Sequence, residues 1–173
     1  MTVQFTCFDT AMGRCAIAWT TQGVRALSLP DRNEVATINH LLARETRAQK
    51  GDPSALAQSA IAAVRAHLAG RPAKLSSVPL DLRGTTPFAR RVYTALREVP
   101  AGSTVSYGEL AHAAGSDKAA RAVGSAMARN PIPVFIPCHR VLSQGGGRGG
   151  FSAPGGLETK AKLLSLEGVE LRS

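Results

Sequence analysis

Apolar and polar residues alternate at the start of the chain, as they do in a β-strand with one buried face. Residues 3–7 follow this pattern, and two further apolar runs, 15–20 and 24–29, come after Gly13 and Gly23. Glycines between such runs are typical of the turns that join neighbouring strands. The beginning of the chain therefore predicts a small antiparallel sheet.

From Ser54 the apolar spacing changes to that of a helix with one buried face. Ser54 is a favourable N-cap, and Gly70 followed by Pro72 is a common helix end. A second helix is predicted where Thr86 can act as N-cap and Pro87 as first helical residue. The apolar stripes are Leu56, Ile61, Val64 and Leu68 in the first helix, and Phe88, Val92, Leu96 and Val99 in the second.

Two short helices follow with the spacing of a helix-turn-helix. Ser106 and Glu109 stand three residues apart, as in a capping box. Ser116-Asp117 is expected to cap the next helix, over 118–129. The exposed surface of that helix is unusually slim, which fits either tight packing against a neighbouring helix or close approach to another molecule. Its small residues are Ala119, Ala120, Ala122, Gly124, Ser125 and Ala126.

The last third of the chain combines a buried segment, a loop and a helix. Residues 134–136 are apolar and flanked by prolines, which predicts a short buried strand leading into 137–141. Residues 144–156 form a glycine-rich loop; their G-x-G-x-x-G match does not follow a strand and open a helix, as a dinucleotide site requires. A final helix is predicted from Leu157, Ala161, Leu164 and Gly168.

These elements predict an α+β protein of two domains. The first, over 1–84, combines a small antiparallel sheet with a helix, and the second, over 85–173, is mainly helical and contains the helix-turn-helix. The linker is expected at Gly84-Thr85, after a short extended segment at 80–83.

The charge balance narrows the class of partner. The 173 residues include 21 Lys+Arg and 12 Asp+Glu, a net charge of +9, and the pI is near 10.3. An anionic partner is expected, with nucleic acid ahead of a membrane surface. Residues 118–157 hold five basic residues and no acidic one, which suits a surface facing phosphates: Lys118, Arg121, Arg129, Arg140 and Arg148.

Other compositional features exclude several classes of protein. A 44% share of apolar residues and a 19% share of charged ones exclude intrinsic disorder. No apolar run is long enough to span a bilayer and no signal peptide is evident, so an intracellular, cytoplasmic protein is expected. The three cysteines form no disulfide framework, and the histidines form no metal-binding cluster. We expect neither a metal nor a cofactor.

Cys138 is the candidate nucleophile, because it stands beside His139 in a basic segment. A base or cation near a thiol increases the fraction present as the reactive thiolate. A buried structural cysteine is the alternative. Neighbouring residues of an extended chain point to opposite sides, so a proton transfer between the two side chains needs a turn or a bridging water.

The string Pro137-Cys138-His139-Arg140-Val141 strongly resembles the active-site motif of the O6-alkylguanine-DNA alkyltransferases, also called methylated-DNA-protein-cysteine methyltransferases. The similarity extends from Pro87 to Gly168 and includes Asn130-Pro131-Ile132-Pro133. Before Pro87 it rests only on the pattern from Phe8 to Gly13 and on the turn at Gly23.

The resemblance implies a monomeric protein that binds duplex DNA and extrudes an O6-alkylated guanine or an O4-alkylated thymine. It then transfers the alkyl group irreversibly to its own Cys138. The implied catalytic residues are Cys138 as nucleophile, His139 as a base acting through a water, Glu167 as the partner of His139, Asn130 as the residue that holds the turn, and Tyr107 as a hydrogen-bond donor to the leaving guanine.

The same resemblance implies the DNA and base contacts. Arg121 would fill the space that the extruded base leaves in the stack. The implied DNA-binding residues are Arg121, Ala122, Tyr107 and Arg140, and those of the base pocket are Pro133, Val141, Phe151 and Ser152. After Ser152 this chain departs from the family pattern, because Ala153-Pro154 stands where many members have shorter strings of small residues.

Three other functions fit parts of this pattern. A lesion-binding relative without transfer would lack the nucleophile, and such relatives often have tryptophan at its position. A helix-turn-helix regulator would bind one operator sequence and use Cys138 only structurally. A Cys-His hydrolase would turn over many times on esters or peptides.

Overall fold

The computed structural model describes residues 1–171, which form two compact units. The first unit holds Met1–Leu82 and Pro131–Phe135, and the second holds Arg83–Asn130 and the chain from Ile136 onward. The architecture is mixed α+β, so the predicted fold class is confirmed. The two domains predicted over 1–84 and 85–173 remain a prediction about where the chain divides.

The alternating start of the chain forms the sheet of the first unit. Its strands are β1 (Gln4–Thr10), β2 (Gly13–Trp19), β3 (Val24–Ser28) and β4 (Gln49–Lys50), in the order β3-β2-β1-β4. The first three strands pair antiparallel as predicted, whereas the short β4 pairs parallel with β1 at the edge.

Two helices accompany this sheet: α1 (Glu34–Arg44) and α2 (Ala55–Leu68). The predicted cap of α2 is present, because Ser54 Oγ accepts a hydrogen bond from the Ala57 amide at 3.2 Å. Helix α1 was not predicted, although Asn33 caps it in the same way through the Ala36 amide at 2.8 Å. Leu41 of α1 is buried in a hydrophobic cluster with Phe5 and small alanines of the sheet.

A buried carboxylate ties the segment after α2 to the sheet of the first unit. Asp81 accepts a hydrogen bond from Thr20 Oγ1 at 2.6 Å and lies 3.6 Å from the Arg25 guanidinium. Arg25 also pairs with Glu45 at 2.6 Å, just beyond α1. The predicted extended segment at 80–83 is reduced to a single bridge between Leu80 and Val24.

As far as residue 171, the second unit contains four α-helices: α3 (Pro87–Arg97), α4 (Tyr107–Ala113), α5 (Ala120–Ala128) and α6 (Gly156–Leu166). The capping box of Ser106 and Glu109 is present at the start of α4. Tyr93 donates a hydrogen bond to the Ala126 carbonyl at 2.7 Å, which joins α3 to α5. Strands β5 (Val105–Ser106) and β6 (Val141–Leu142) form a short parallel pair.

The predicted start of α5 at residue 118, with Ser116-Asp117 as the cap, is wrong. The helix begins at Ala120, and its N-cap residue Ala119 has no capping side chain. The Ser116 carbonyl instead accepts a hydrogen bond from the Ala119 amide in a turn, and the Asp117 carboxylate pairs with His112 of α4.

The predicted strand at 134–136 is also wrong, although these residues are buried. Val134 and Phe135 form a turn in which Val134 adopts a positive φ of 74°. Proline has no amide hydrogen to donate, so Pro133 and Pro137 on either side prevent a regular strand ladder. Among residues 1–171, no helix has both the length and the apolar character needed to cross a membrane.

Candidate active site

Cys138 opens a single 3₁₀ turn, Cys138–Arg140, directly after Pro137. Its amide donates a hydrogen bond to the Ile136 carbonyl at 2.7 Å, and the Arg140 amide donates to the Pro137 carbonyl at 2.9 Å. Cys138 is only 7% exposed. In an extended chain, the side chains of Cys138 and His139 would point to opposite sides. Because the backbone turns at Cys138, this restriction does not apply to them.

His139 is completely buried and its Nε2 lies 2.8 Å from Glu167 Oε2. The Glu167 side chain is 1% exposed. A carboxylate accepts hydrogen bonds, so the contact favours the tautomer in which Nε2 of His139 carries the hydrogen. The lone pair is then on Nδ1, and a proton from a nearby thiol has to go to that atom.

Arg140 completes this buried group. Its Nε and one terminal nitrogen donate to the two oxygens of Glu167 at 2.9 and 2.8 Å, and its other terminal nitrogen donates to the Val99 carbonyl at 2.7 Å. A buried guanidinium with these partners is unsuited to contact DNA, so we do not retain the DNA-binding role predicted for Arg140. Its contacts instead fix Glu167, which in turn orients His139.

Asn130 follows α5, and its predicted role in holding the turn remains a prediction. Its Nδ2 donates a hydrogen bond to the Ile136 carbonyl at 2.9 Å, and the residue is buried. This bond joins the residue after α5 to the segment that leads into Cys138. It therefore restrains the backbone on the N-terminal side of the thiol.

A cavity of about 240 Å³ opens beside Cys138 in the second unit. It brings together four of the predicted site residues, Tyr107, Cys138, Phe151 and Ser152. Pro133 belongs to the first unit, and its predicted place in the base pocket remains a prediction. The complete lining is Tyr107, Gly124, Met127, Ala128, Cys138, Gly150, Phe151 and Ser152.

Tyr107, the first residue of α4, is held at this cavity by the glycine-rich loop. Its hydroxyl oxygen accepts a hydrogen bond from the Gly150 amide at 3.3 Å. Gly149 adopts a φ of +64°, and a Cβ built on it would lie 3.0 Å from that hydroxyl. The close approach and the positive φ both favour glycine at this position.

Lys160 was missed by sequence reasoning. It is completely buried, and its Nζ donates hydrogen bonds to the carbonyls of Val141, Arg148 and Gly150 at 2.6, 2.7 and 3.1 Å. Burial lowers the pKa of Lys160 to about 8. The Val141 carbonyl, predicted to read the base edge, therefore already accepts one hydrogen bond.

The predicted apolar stripe of α6 explains the omission. Leu157 is exposed, and the buried face consists of Lys160, Leu163 and Leu164. Residues three and four apart share a helix face. The spacing of Lys160 from the two leucines is the signal that could have placed it inside.

The slim helix α5 buries one face and exposes the other. Val123, Ala126 and Met127 are buried, whereas Arg121 and Ala122 are exposed. Of the small residues between 119 and 126, Ala126 alone is buried, whereas Ala120, Ala122 and Ser125 are exposed. The small exposed residues leave room for close approach by another molecule, with Arg121 extending from them.

Comparison with known proteins identifies the family. Residues 87–169 match the family model described as 6-O-methylguanine DNA methyltransferase, DNA binding domain. The crystal structure of Mycobacterium tuberculosis OGT in complex with DNA has a TM-score of 0.76 and 35% sequence identity, and the match covers 95% of this chain and 92% of that one. The chain belongs to the O6-methylguanine DNA methyltransferase family. The predicted resemblance is confirmed.

Other O6-methylguanine DNA methyltransferase relatives match different shares of the chain. The bifunctional transcriptional activator/DNA repair enzyme Ada of Escherichia coli is 38% identical over 96% of this chain, which spans 46% of Ada, about half its length. The methylated-DNA–protein-cysteine methyltransferase of Mycobacterium bovis is 45% identical over 67% of each chain.

Proposed function

We propose that this protein repairs double-stranded DNA by transferring the alkyl group of O6-alkylguanine, and of O4-alkylthymine, to Cys138. The transfer is irreversible and each molecule reacts once, as a cytoplasmic monomer. The observation that carries the proposal is a buried thiol that lines a cavity of about 240 Å³ and is followed in sequence by His139, which is buried and pairs with Glu167. A purely structural cysteine needs neither the cavity nor the pair.

The chemical step begins with activation of the thiol. A water between Cys138 and His139 carries the thiol proton to Nδ1, while Glu167 stabilises the imidazolium through Nε2. The thiolate sulfur then attacks the alkyl carbon. A sulfur–carbon bond forms as the carbon–oxygen bond breaks, and the electron pair of that bond goes to the guanine.

Tyr107 assists departure of the base. As negative charge develops on the guanine, the hydroxyl of Tyr107 donates a hydrogen bond to the ring. This use of the hydroxyl hydrogen agrees with the geometry of the free protein, in which the Gly150 amide donates to the hydroxyl oxygen and leaves its hydrogen available to the base.

The pocket contacts recognise the extruded base. We propose that Phe151 lines one of its faces, and that the backbone of Ser152 and the carbonyl of Val141 bind its edge. Lys160 occupies one acceptor site of the Val141 carbonyl, and a carbonyl oxygen has a second lone pair for the base.

Helix α5 is proposed to enter the minor groove. That groove is only about 6 Å wide, so a helix with small exposed residues such as Ala122 fits better than a bulky one. Arg121 occupies the space left in the base stack. A base inside the duplex is out of reach of the thiol, so extrusion has to precede transfer.

Intact-mass analysis tests the proposal. The protein is incubated with a duplex oligonucleotide carrying one O6-methylguanine, and the modified peptide is mapped. We expect a gain of one methyl group per protein molecule, located on Cys138, with Cys138→Ser binding the duplex but gaining no mass.

Each rival function has its own diagnostic outcome, the first in that experiment and the other two in a footprint on undamaged DNA and in a hydrolysis assay. Binding without any mass gain would support a lesion-binding protein, and protection of one undamaged sequence would support an operator-binding regulator. Repeated turnover of esters or peptides would support a hydrolase. A methyl group on Cys7 or Cys15 would overturn the assignment of the nucleophile.

A further inference from the structure

Lys160 joins helix α6, on which it lies, to strand β6 and to the glycine-rich loop. Its ammonium donates to carbonyls of strand β6 and of two positions in the glycine-rich loop, Val141, Arg148 and Gly150. An ammonium group has three hydrogens, so these bonds use all of its donors. The loop that carries the Tyr107 contact is therefore fastened to the strand after Cys138 through one side chain.

The charge of Lys160 contributes to this arrangement. Three carbonyl dipoles point their negative ends at a buried cation, which partly replaces the lost hydration. A neutral amine would bind the same carbonyls more weakly and would have to turn its own lone pair away from them. The loop is therefore expected to be held firmly to strand β6 when Lys160 is an ammonium, and only weakly when it is a neutral amine.

Cys138 is the neighbouring group that acts on this charge. The negative charge of its thiolate raises the pKa of Lys160, against the larger effect of burial. This attraction is mutual, so the ammonium also favours the thiolate. The other titratable group near the loop is Tyr107, whose hydroxyl lies across Gly149 from the Lys160 Nζ. Arg148 belongs to the loop itself and contributes its carbonyl.

We infer that Lys160 is a positioning residue for alkyl transfer: its ammonium form holds the 148–150 loop in place beside the cavity and favours the Cys138 thiolate, and its neutral form releases both. This role rests on the proposed function. It goes beyond that function by assigning a charge-dependent task to a residue that is not expected to touch the substrate.

The test compares Lys160→Gln with Lys162→Gln, which changes an exposed lysine of the same helix. Single-turnover methyl transfer from duplex DNA is measured between pH 6.5 and 9.5. At pH 7 we expect Lys160→Gln to be slower than the unaltered protein by about tenfold or more, since it loses hydrogen bonds made by a charged group. Lys162→Gln should match the unaltered protein.

The pH dependence separates positioning by charge from simple packing. The ratio of the two rates, unaltered protein to Lys160→Gln, should fall as the pH rises through about 8, where Lys160 loses its proton. Titrations that are the same in both proteins cancel in this ratio, and the Cys138 titration, which Lys160→Gln is expected to shift, is followed separately through the reaction of the thiol with iodoacetamide. A ratio that stays constant across the range would overturn the charge-dependent role, as would equal rates at pH 7.

A second measurement needs no variant and therefore no assumption that Lys160→Gln folds. Lysine side chains of the unaltered protein are titrated by NMR together with the amides of Gly149 and Gly150. One buried lysine should titrate near pH 8, and both amide signals should move with the same midpoint. Amide signals that do not respond to this titration would show that the charge of Lys160 does not hold the loop in place.

Reaction of Cys138 with iodoacetamide distinguishes failure of this inference from failure of the proposed function. The reaction reports thiolate without any DNA, and peptide mapping separates Cys138 from Cys7 and Cys15. We expect slower labelling in Lys160→Gln than in Lys162→Gln at pH 7. If labelling slows but the unaltered protein never accepts a methyl group, the proposed function fails and Lys160 keeps its effect on the thiol. Equal labelling rates would overturn that effect.

Discussion

Replacing Glu167 with glutamine would test how the buried group prepares His139. The carboxylate accepts three hydrogen bonds, one from His139 at 2.8 Å and two from Arg140 at 2.9 and 2.8 Å. Glutamine offers one oxygen and one amide nitrogen that only donates. Either orientation of the amide therefore places a donor against a donor of Arg140.

The two orientations differ in their effect on His139. With the amide nitrogen facing His139, Nε2 has to become the acceptor and the hydrogen moves to Nδ1, which can then no longer take the thiol proton. With the oxygen facing His139, the tautomer is kept but the developing imidazolium loses its counter-charge. Both cases impair the base, and general-base catalysis contributes about 10²-fold to 10⁴-fold.

The cost in stability can be bounded from the same contacts. Losing one hydrogen bond to a charged group costs about 1.5–3 kcal/mol. Removing one partner of a buried ion pair costs about 3–5 kcal/mol, which is an upper bound because the glutamine oxygen still accepts from Arg140 or His139. Domains are stable by about 5–15 kcal/mol, so Glu167→Gln is expected to remain folded.

The assay is single-turnover methyl transfer at several pH values, with urea unfolding measured in parallel. Glu170→Gln, an exposed carboxylate close by in sequence, is the matched control. We expect transfer by Glu167→Gln to fall by about 10²-fold or more, with an altered pH–rate profile. A rate and profile equal to those of the unaltered protein would mean that Glu167 is only a charge at the end of α6.

Three further changes test other parts of the structure. Arg121→Ala should sharply reduce transfer from duplex DNA but leave reaction with free O6-alkylguanine near the parent level. Uniformly weaker binding to all duplexes, with the slope of log affinity against log salt concentration smaller in magnitude by about one, would instead indicate a phosphate contact. Gly149→Ala should slow transfer, because its Cβ would lie 3.0 Å from the Tyr107 hydroxyl. Gly145→Ala is the control with a similar positive φ and no atom within 4 Å, and equal rates for the two would contradict the clash. Asp81→Asn should lower the free energy of unfolding by about 1–3 kcal/mol, since a buried acceptor for Thr20 and Arg25 is altered; an unchanged urea midpoint, as expected for exposed Asp52→Asn, would show that this network adds no stability.

Local signals in the sequence were sufficient for much of the fold. The strands around Gly13 and Gly23, the cap at Ser54 and the capping box at Ser106 all lie where their patterns predicted. These patterns work because the partners are within a few residues of each other. Helix α1 was missed although Asn33 caps it, because its buried face includes Thr37 and lacks a continuous apolar stripe.

Sequence patterns are not sufficient for Arg140 and Lys160, because distant parts of the second unit decide their surroundings. Arg140 was assigned to DNA because an arginine in a basic segment is normally exposed, and only the folded chain brings it to Glu167, 27 residues away. Lys160 was missed for the same reason, because only the folded chain brings its partners to it. Its partners are carbonyl groups, which every residue has, and so no residue type in the sequence identifies them.

The short pairing of β5 with β6 limits where this chain can change length. Ser106 precedes Tyr107 and pairs with Leu142, while Val105 pairs with Val141, three residues after the thiol. One residue added on either strand would shift the pairing by about 3.3 Å and turn the side chains to opposite faces. The tip of the glycine-rich loop around Gly145 can vary in length without this consequence. Evolutionary or engineered insertions are therefore expected to be tolerated at that tip. In contrast, the number of residues from Val105 to Tyr107, and from Cys138 to Val141, is fixed.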